Sequence, residues 1–407
     1  MKEAAKYAAF CFVRGEGADL AENYCIFASN FFPNDGRVAR YTYSLAKRLQ
    51  SKGKNVFIVT NNVFGLSSFE NSDGIKIYRL PCYNLAGGYF PLICYDSEAK
   101  GILSILKKIK FKAVIVNNTF HFHSLIGAMF GKANKAKVIT ICHTSAYVRR
   151  RNPVANFFIH IYEHIIAFLL KLYTDEFYGV CKASSKWLKR FGIKSKGELY
   201  NSVSAELVNS CLKSSGVSFK EKYGIDVPII TYAGRLIDEK GLDMLISAFK
   251  RVKEEYPAAL MIAGDGEYRE SLSEETEEGI YFLGELDFQN LISLLGETDI
   301  FCLPIEYPER VSSGVFEAAS AGAFIITTES GGAEELINSE ERGIILFENN
   351  EETIAEALKK ALSDEEYRKA AVQKCKRAIW NRFSIEKTAR TIIESAENFI
   401  EEEEEFI

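Results

Sequence analysis

The sequence predicts an α/β protein built from two doubly wound domains that face each other across a cleft, and three observations carry that expectation. Short runs rich in β-branched and aromatic residues alternate with longer amphipathic stretches, the pattern of parallel strands joined by crossover helices. The alternation breaks in YNSVSAELVNS, residues 200–210, and restarts with PIITYAG at 228–234. At 407 residues the chain also exceeds the roughly 100–200 residues that one ordinary core encloses.

In the first domain, expected over residues 1–203, strands are predicted at 24–29, 55–60, 75–80, 112–118, 137–143 and 176–181. Helices are predicted at 40–53, where Gly53 closes RYTYSLAKRLQSKG, near 98–110, at 154–173 and at 182–192. In the second domain, expected over 204–385, helices separate strands at 228–234, 259–264, 280–284, 299–304, 323–328 and 343–347. Residues 386–407 read as a terminal helix packing back toward the first domain, with the glutamates 401–405 as its solvated end. The opening MKEAAKYAAFCFVRGEG has a short apolar run closed by Arg14 and no small-x-small cleavage site, so it reads as an extra helix or a ragged extension before the first strand. No stretch is expected to reach the roughly 20 apolar residues that cross a bilayer.

Nine scattered cysteines without a C-x-x-C pair point to free thiols in a reducing compartment, which favours the cytoplasm. The net charge of -5 hides a division. Residues 1–203 carry 29 Lys and Arg against 13 Asp and Glu, whereas residues 204–407 carry 21 against 42. The two halves attract each other, or the basic half faces an anionic partner such as a phosphate-bearing acceptor or an acidic membrane leaflet. No aromatic and basic reading surface or recognition motif accompanies the charge, so nucleic acid is not expected as a partner.

The chemistry concentrates where strands end. In TYAGRLIDEKGLDML, Gly234 allows close backbone approach, and Arg235 and Lys240 stand at a strand's carboxyl end beside a helix N-terminus. Two cations beside a helix dipole suit phosphate. AGDGEYRESL repeats the strand, glycine turn and helix at Gly264. In EYPERVSSGVFEAASAG, Glu309 and Glu317 lie eight apart around Ser312, Ser313 and Gly314. Carboxylates accept hydrogen bonds from vicinal hydroxyls, and the intervening backbone N–H groups can meet phosphate or sugar oxygens.

These motifs carry a resemblance. G-R-L-x3-K-G, then G-D-G, then E-x7-E and ESGGAEEL, resemble the donor domain of retaining glycosyltransferases of family 4, which have the GT-B fold of two Rossmann-like domains. NFFPNDGRVARYTYSLAKRL resembles the family's first glycine loop and helix, and ITICHTS its histidine segment. The resemblance implies that Arg235 and Lys240 hold the diphosphate of a nucleotide sugar, Glu317 the ribose and Glu309 the donor sugar. It implies that Gly36, followed here by Arg37, approaches the donor phosphate, and that His143 lies near the reacting sugar carbon. No metal and no cofactor are implied beyond the nucleotide sugar itself. The acceptor is expected to be a glycan or lipid-linked sugar. Three departures stand out: Arg37 follows Gly36 where a second glycine is usual, Cys181 replaces a serine, and Ser202 replaces a glycine after Asn201.

Other readings follow from particular residues. The altered glycine loop fits a non-catalytic partner subunit of the same fold, and the architecture alone fits a nucleotide-sugar epimerase, against which the E-x7-E spacing argues. HIYEH at 160–164 matches a zinc-protease signature, although no acidic ligand follows to complete it. His121 and His123 end a strand and face either the cleft or the core. The arginines 149–151 before an apolar helix, with Lys107, Lys108, Lys110 and Lys112, suggest contact with an anionic membrane surface.

Overall fold

The computed structural model describes residues 22–34, 36–85, 90–147, 152–200, 205–214, 218–237, 241–267, 269, 278–305, 313–329 and 332–404. The expected site residues Lys240, Glu309 and Ser312 lie outside the described residues, as do Ser202, the arginines 149–151 and the opening segment. In the first domain the strands are β1 (Asn23–Ala28), β2 (Asn55–Asn61), β3 (Phe69–Ser72), β4 (Ile75–Leu80), the hairpin β5 (Cys82–Leu85) and β6 (Phe90–Ile93), β7 (Phe111–Asn117), β8 (Lys137–Cys142), β9 (Glu176–Gly179) and β10 (Gly197–Glu198). Its helices are α1 (Arg37–Ser51), α2 (Ser97–Lys107), α3 (Phe122–Ala133), α4 (Pro153–Tyr173) and α5 (Lys182–Lys189). The main sheet has the order β10-β9-β8-β7-β1-β2-β4-β3 and is parallel except at the edge strand β3.

The second domain follows α6 (Ala205–Ser214) and α7 (Phe219–Tyr223). It runs β11 (Ile229–Ala233), α8 (Leu242–Val252), β12 (Ala259–Ala263), β13 (Ile280–Gly284), α9 (Phe288–Glu297), β14 (Ile300–Leu303), α10 (Ser313–Ala321), β15 (Phe324–Thr328), α11 (Ala333–Leu336), β16 (Ile344–Leu346), α12 (Glu351–Ser363), α13 (Glu365–Arg382) and α14 (Ile385–Glu404). Its six strands are all parallel in the order β13-β12-β11-β14-β15-β16.

The central strands form because helices cover both faces of each sheet, so an unbroken apolar run is buried throughout. Tyr24, Cys25, Ile26, Phe27 and Ala28 of β1 are all fully buried. The helices form on the other period: Leu242, Leu245, Ile246, Phe249 and Val252 make one buried stripe along α8. Their starts are chemically marked. Asp96, Asn152, Asp287 and Asn350 cap α2, α4, α9 and α12, and Pro153 occupies the first position of α4.

Three expectations need correction. The strand expected to reach residue 181 stops at Gly179, because Cys181 leaves the sheet to cap α5, its Sγ accepting the Ser184 N–H at 3.4 Å. The helix expected to reach 192 ends at Lys189, and the chain turns out through Gly192 at φ 63°. Finally, α4 is long and apolar enough, by length and composition, to cross a bilayer, although most of its length is not buried in the protein.

In both sheets the order of strands reverses at one point, between β1 and β7 and between β11 and β14. Loops leaving the carboxyl ends on either side of such a reversal diverge to opposite faces and leave a crevice. The last helix joins the domains. After the second sheet is complete, α14 crosses to the first domain, where Glu386 pairs with Arg48 and with Lys52 and Ser395 donates to Glu176 at 2.6 Å. One continuous apolar cluster therefore includes Tyr24 and Ile26 of the first domain, Tyr232 and Phe301 of the second, and Ile392 of α14.

Candidate functional site

Each crevice collects the side chains that the loops carry. At the first, Gly36 is the residue before α1 and offers no side chain to cap it, Arg37 is the first helical residue, and Arg40 stands one turn on. Across the reversal, β7 ends at Asn117 and the next strand ends just before His143.

His143 is buried and held in one orientation. Thr42 Oγ1 donates to the Val38 carbonyl at 2.7 Å, so it accepts from Asn117 Nδ2 at 2.5 Å. That turns Asn117 Oδ1 toward His143 Nε2, 2.5 Å away, so Nε2 carries the proton and Nδ1 keeps the lone pair. Tyr41 packs edge-on against the imidazole at 4.9 Å. Burial, with the Arg37 charge adding to it, pushes the His143 pKa down to about 3. The ring is therefore neutral at neutral pH.

At the second crevice three loops are pressed together. The loop after β11 and that after β12 meet backbone to backbone, with Leu236 N–H donating to the Asp265 carbonyl at 3.0 Å. Gly264 has φ 139°, and a Cβ there would lie 1.8 Å from the Gly234 carbonyl oxygen. Gly241, at φ 63°, starts α8, and a Cβ there would lie 2.1 Å from the Pro304 carbonyl oxygen at the end of β14. Only glycine fits either position. Arg235 is exposed on this ledge, with its carbonyl accepting the Tyr232 hydroxyl at 3.0 Å.

Helix α10 begins at Ser313, with Ser313 and Gly314 half-buried. Glu317 is buried, yet its carboxylate meets Arg40 Nη1 of the first domain at 3.4 Å. The Arg40 guanidinium also lies over the Phe288 ring at 5.1 Å from its centroid. Glu317 thus looks across the gap between the domains, toward the turn that carries Gly36 and Arg37.

At the flank of the gap a pocket of about 330 Å³ is lined by Lys182, Lys186, Glu329, Glu335 and Arg382 among others. Glu335 ties the two domains together there. It accepts the Lys182 N–H and the Tyr200 hydroxyl, both at 2.7 Å, while Arg382 reaches the same hydroxyl at 2.8 Å. Cys181 serves where a serine was expected: burial raises its pKa to about 11, so the thiol stays protonated. It packs against Gly332, where a Cβ would come within 3.0 Å of the cysteine Cβ.

The structure brings Gly36, Arg37 and His143 to one side of the gap and Arg235, Gly264, Ser313, Gly314 and Glu317 to the other. It also adds residues that sequence reasoning missed: Arg40, Asn117 and Glu335. Arg40 shares a helix face with Arg37 at i+3, which was a usable signal. Asn117 and Glu335 carried none, because their partners lie far away in sequence. Among the described residues, no group of three metal-ligating side chains forms around the two protease-like histidines. His160 stacks on the Tyr147 ring at 3.9 Å, His164 Nε2 bonds the Tyr147 hydroxyl at 3.0 Å, and Glu163 is buried. His123 is a core residue, bonded to Asn61 and to the Val59 carbonyl.

Two family models match the chain. Residues 38–199 match Glycosyltransferase Family 4, and residues 218–378 match Glycosyl transferases group 1. The chain belongs to glycosyltransferase family 4. An uncharacterized glycosyltransferase of Methanocaldococcus jannaschii is 24% identical over 90% of this family-4 chain and 95% of its own. One component of the human phosphatidylinositol N-acetylglucosaminyltransferase is 24% identical over 84% of this chain and 68% of its own. Among solved structures, Anabaena HepE in complex with UDP-glucose superimposes with a TM-score of 0.67 at 15% identity, covering 92% of this glycosyltransferase and 99% of that chain. That likeness shows the GT-B fold.

Proposed function

We propose that this glycosyltransferase moves a hexose, with retention at the anomeric carbon, from a nucleotide-diphosphate sugar to a glycan or lipid-linked acceptor. The observation that carries the reading is the facing pair of crevices, with Glu317 of one domain reaching Arg40 of the other across the gap. In this reading Arg235 and Lys240 hold the diphosphate, assisted by the loop at Gly36 and Arg37. Glu317 accepts the ribose hydroxyls, Glu309 the donor sugar's hydroxyls, and His143 lies beside the reacting carbon. The backbone at Gly264, Ser312, Ser313 and Gly314 lets phosphate and sugar oxygens come close. As the sugar leaves, charge builds on the diphosphate, and fixed cations aimed at it take the place of a metal ion.

HepE supports a nucleotide-sugar donor, since its complex holds UDP-glucose, and the human relative's name supports a lipid acceptor. A cytoplasmic enzyme, peripheral on the inner face of a membrane, fits both. Lys240→Ala is expected to lose about 3 kcal/mol of transition-state stabilisation, roughly a hundredfold in turnover, measured as sugar transfer or donor hydrolysis. Unchanged turnover would remove Lys240 from the site. A non-catalytic partner subunit is the second reading, favoured by Arg37 in the glycine loop and by Arg40 already engaging Glu317. Binding of a nucleoside diphosphate, seen as a raised melting point, without any donor hydrolysis would select it.

A further inference from the structure

Helix α4 is apolar on two opposite faces, and only one of them belongs to the core. Ile166, Ala167 and Leu170 face inward with Glu163, and α4 packs there on α3. On the opposite side Val154, Phe158, Ile161, Ile165, Phe168 and Leu172 are exposed at alternating spacings of four and three, a single stripe along the helix. Phe157 stands beside it, 62% exposed, with Phe158 at 63% and Phe168 at 58%. The stripe runs from Val154 to Leu172 of the 21-residue helix, about 27 Å at the usual helical rise. Scattered exposed apolar side chains need no explanation, but an unbroken stripe of this length does.

We propose that this stripe docks the enzyme on an anionic lipid surface, with α4 lying in the plane of the interface. The charge at its margin selects the occupant. Lys171 lies at its edge, and arginines 149–151 precede it in sequence. Lys186, Lys189 and Arg190 are exposed on and just after α5, a segment that meets α4 through the rings of Trp187, Phe191 and Tyr147. The single acidic residue of α4, Glu163, is buried on the far face. A basic margin around an aromatic and aliphatic stripe matches acidic headgroups above acyl chains. A second copy of this chain would oppose cation to cation, and a zipper seam would need acidic partners that the described margin does not offer. Spanning is excluded by the inward face, which is committed to α3 and the sheet.

Topology gives the docking a purpose. As the crossover between parallel strands β8 and β9, α4 runs antiparallel to them, so its Phe157–Phe158 end lies at the sheet edge where His143 stands. A bilayer on the stripe presents lipid-borne acceptors beside the gap. That step deepens the lipid-acceptor part of the function proposed above, while the docking itself stands on α4 alone.

The test is flotation of the full chain with vesicles of phosphatidylcholine, alone or mixed with phosphatidylglycerol. The parent is expected to float with the mixed vesicles and to remain behind with the neutral ones. Phe158→Ser with Phe168→Ser is expected to weaken that binding roughly a hundredfold, and Lys171→Glu with Lys189→Glu about tenfold. In both variants the melting-point shift caused by a nucleoside diphosphate is expected to stay at the parent's value, so a failed donor site and a failed docking face are told apart. A parent indifferent to lipid charge, or serine variants that float as it does, would overturn the proposal. A parent dimer that the serine substitutions disperse would assign the stripe to a second copy instead.

Discussion

At the scale of residues, the site works through side chains whose charge state is set before any substrate arrives. His143 is the clearest. Its Nε2 proton is fixed by a chain running from the Val38 carbonyl through Thr42 and Asn117, and burial holds its pKa near 3. A histidine so depressed stays uncharged above that value, so in the proposed function it meets the sugar as a neutral acceptor at Nδ1 and not as a cation. The pH profile of kcat/KM is therefore expected to show no ionisation of His143 between pH 5 and 8. A His143→Asn variant should change the height of the profile and leave its shape; loss of a limb in that variant would contradict the neutral assignment. Arg40 behaves in the opposite sense. Its permanent charge compensates the buried Glu317 carboxylate, whose isolation in the gap would be costly.

At the scale of elements, the crevice in the second domain depends on loops that nearly touch. Gly264→Ala is expected to destabilise the protein by roughly 3 kcal/mol, because the new methyl meets the Gly234 carbonyl and φ 139° disfavours any side chain. Denaturant unfolding measures it, and a shift within error would mean that the two loops separate freely. Much of this level was legible in the sequence. Gly264 and Gly241 lie in motifs that already placed strand ends, and the buried strands were unbroken apolar runs with little to confuse them. The hairpin β5 and β6 was not read, because Cys82–Leu85 and Phe90–Ile93 are four residues each and lie outside both main sheets. The capping role of Cys181 was equally hidden, since the run EFYGVC is apolar to its end and nothing local stops the strand. Contacts such as Arg40 with Glu317 or Glu335 with Lys182 were beyond reach for a further reason. They join residues 277 and 153 positions apart, and only the packing of two finished domains brings them together.

At the scale of the whole molecule, the two domains are fastened by α14, and the fastening is titratable. Glu176, on β9, receives four donors: Lys196 at 2.5 Å, Lys137 at 3.0 Å, Tyr178 at 2.9 Å, and Ser395 of α14 at 2.6 Å. Burial alone would raise its pKa, but the bonds from Lys196, Ser395, Lys137 and Tyr178 outweigh burial and hold it at about 2, against an ordinary 4.5. A carboxyl depressed in the folded state contributes its full stabilisation above its unfolded pKa and loses it as pH falls through the folded one. The window is thus pH 4.5 down to about 2. Melting temperature is expected to fall through that window, and Glu176→Gln, which cannot ionise, should start lower at neutral pH and show a shallower acid decline. Because Ser395 is one of the four donors, the same variant should loosen α14 first, seen as faster amide exchange along that helix than in either sheet. Equal protection of α14 in both proteins would mean that the pairing of Glu386 with Arg48 and Lys52 holds the helix without Glu176.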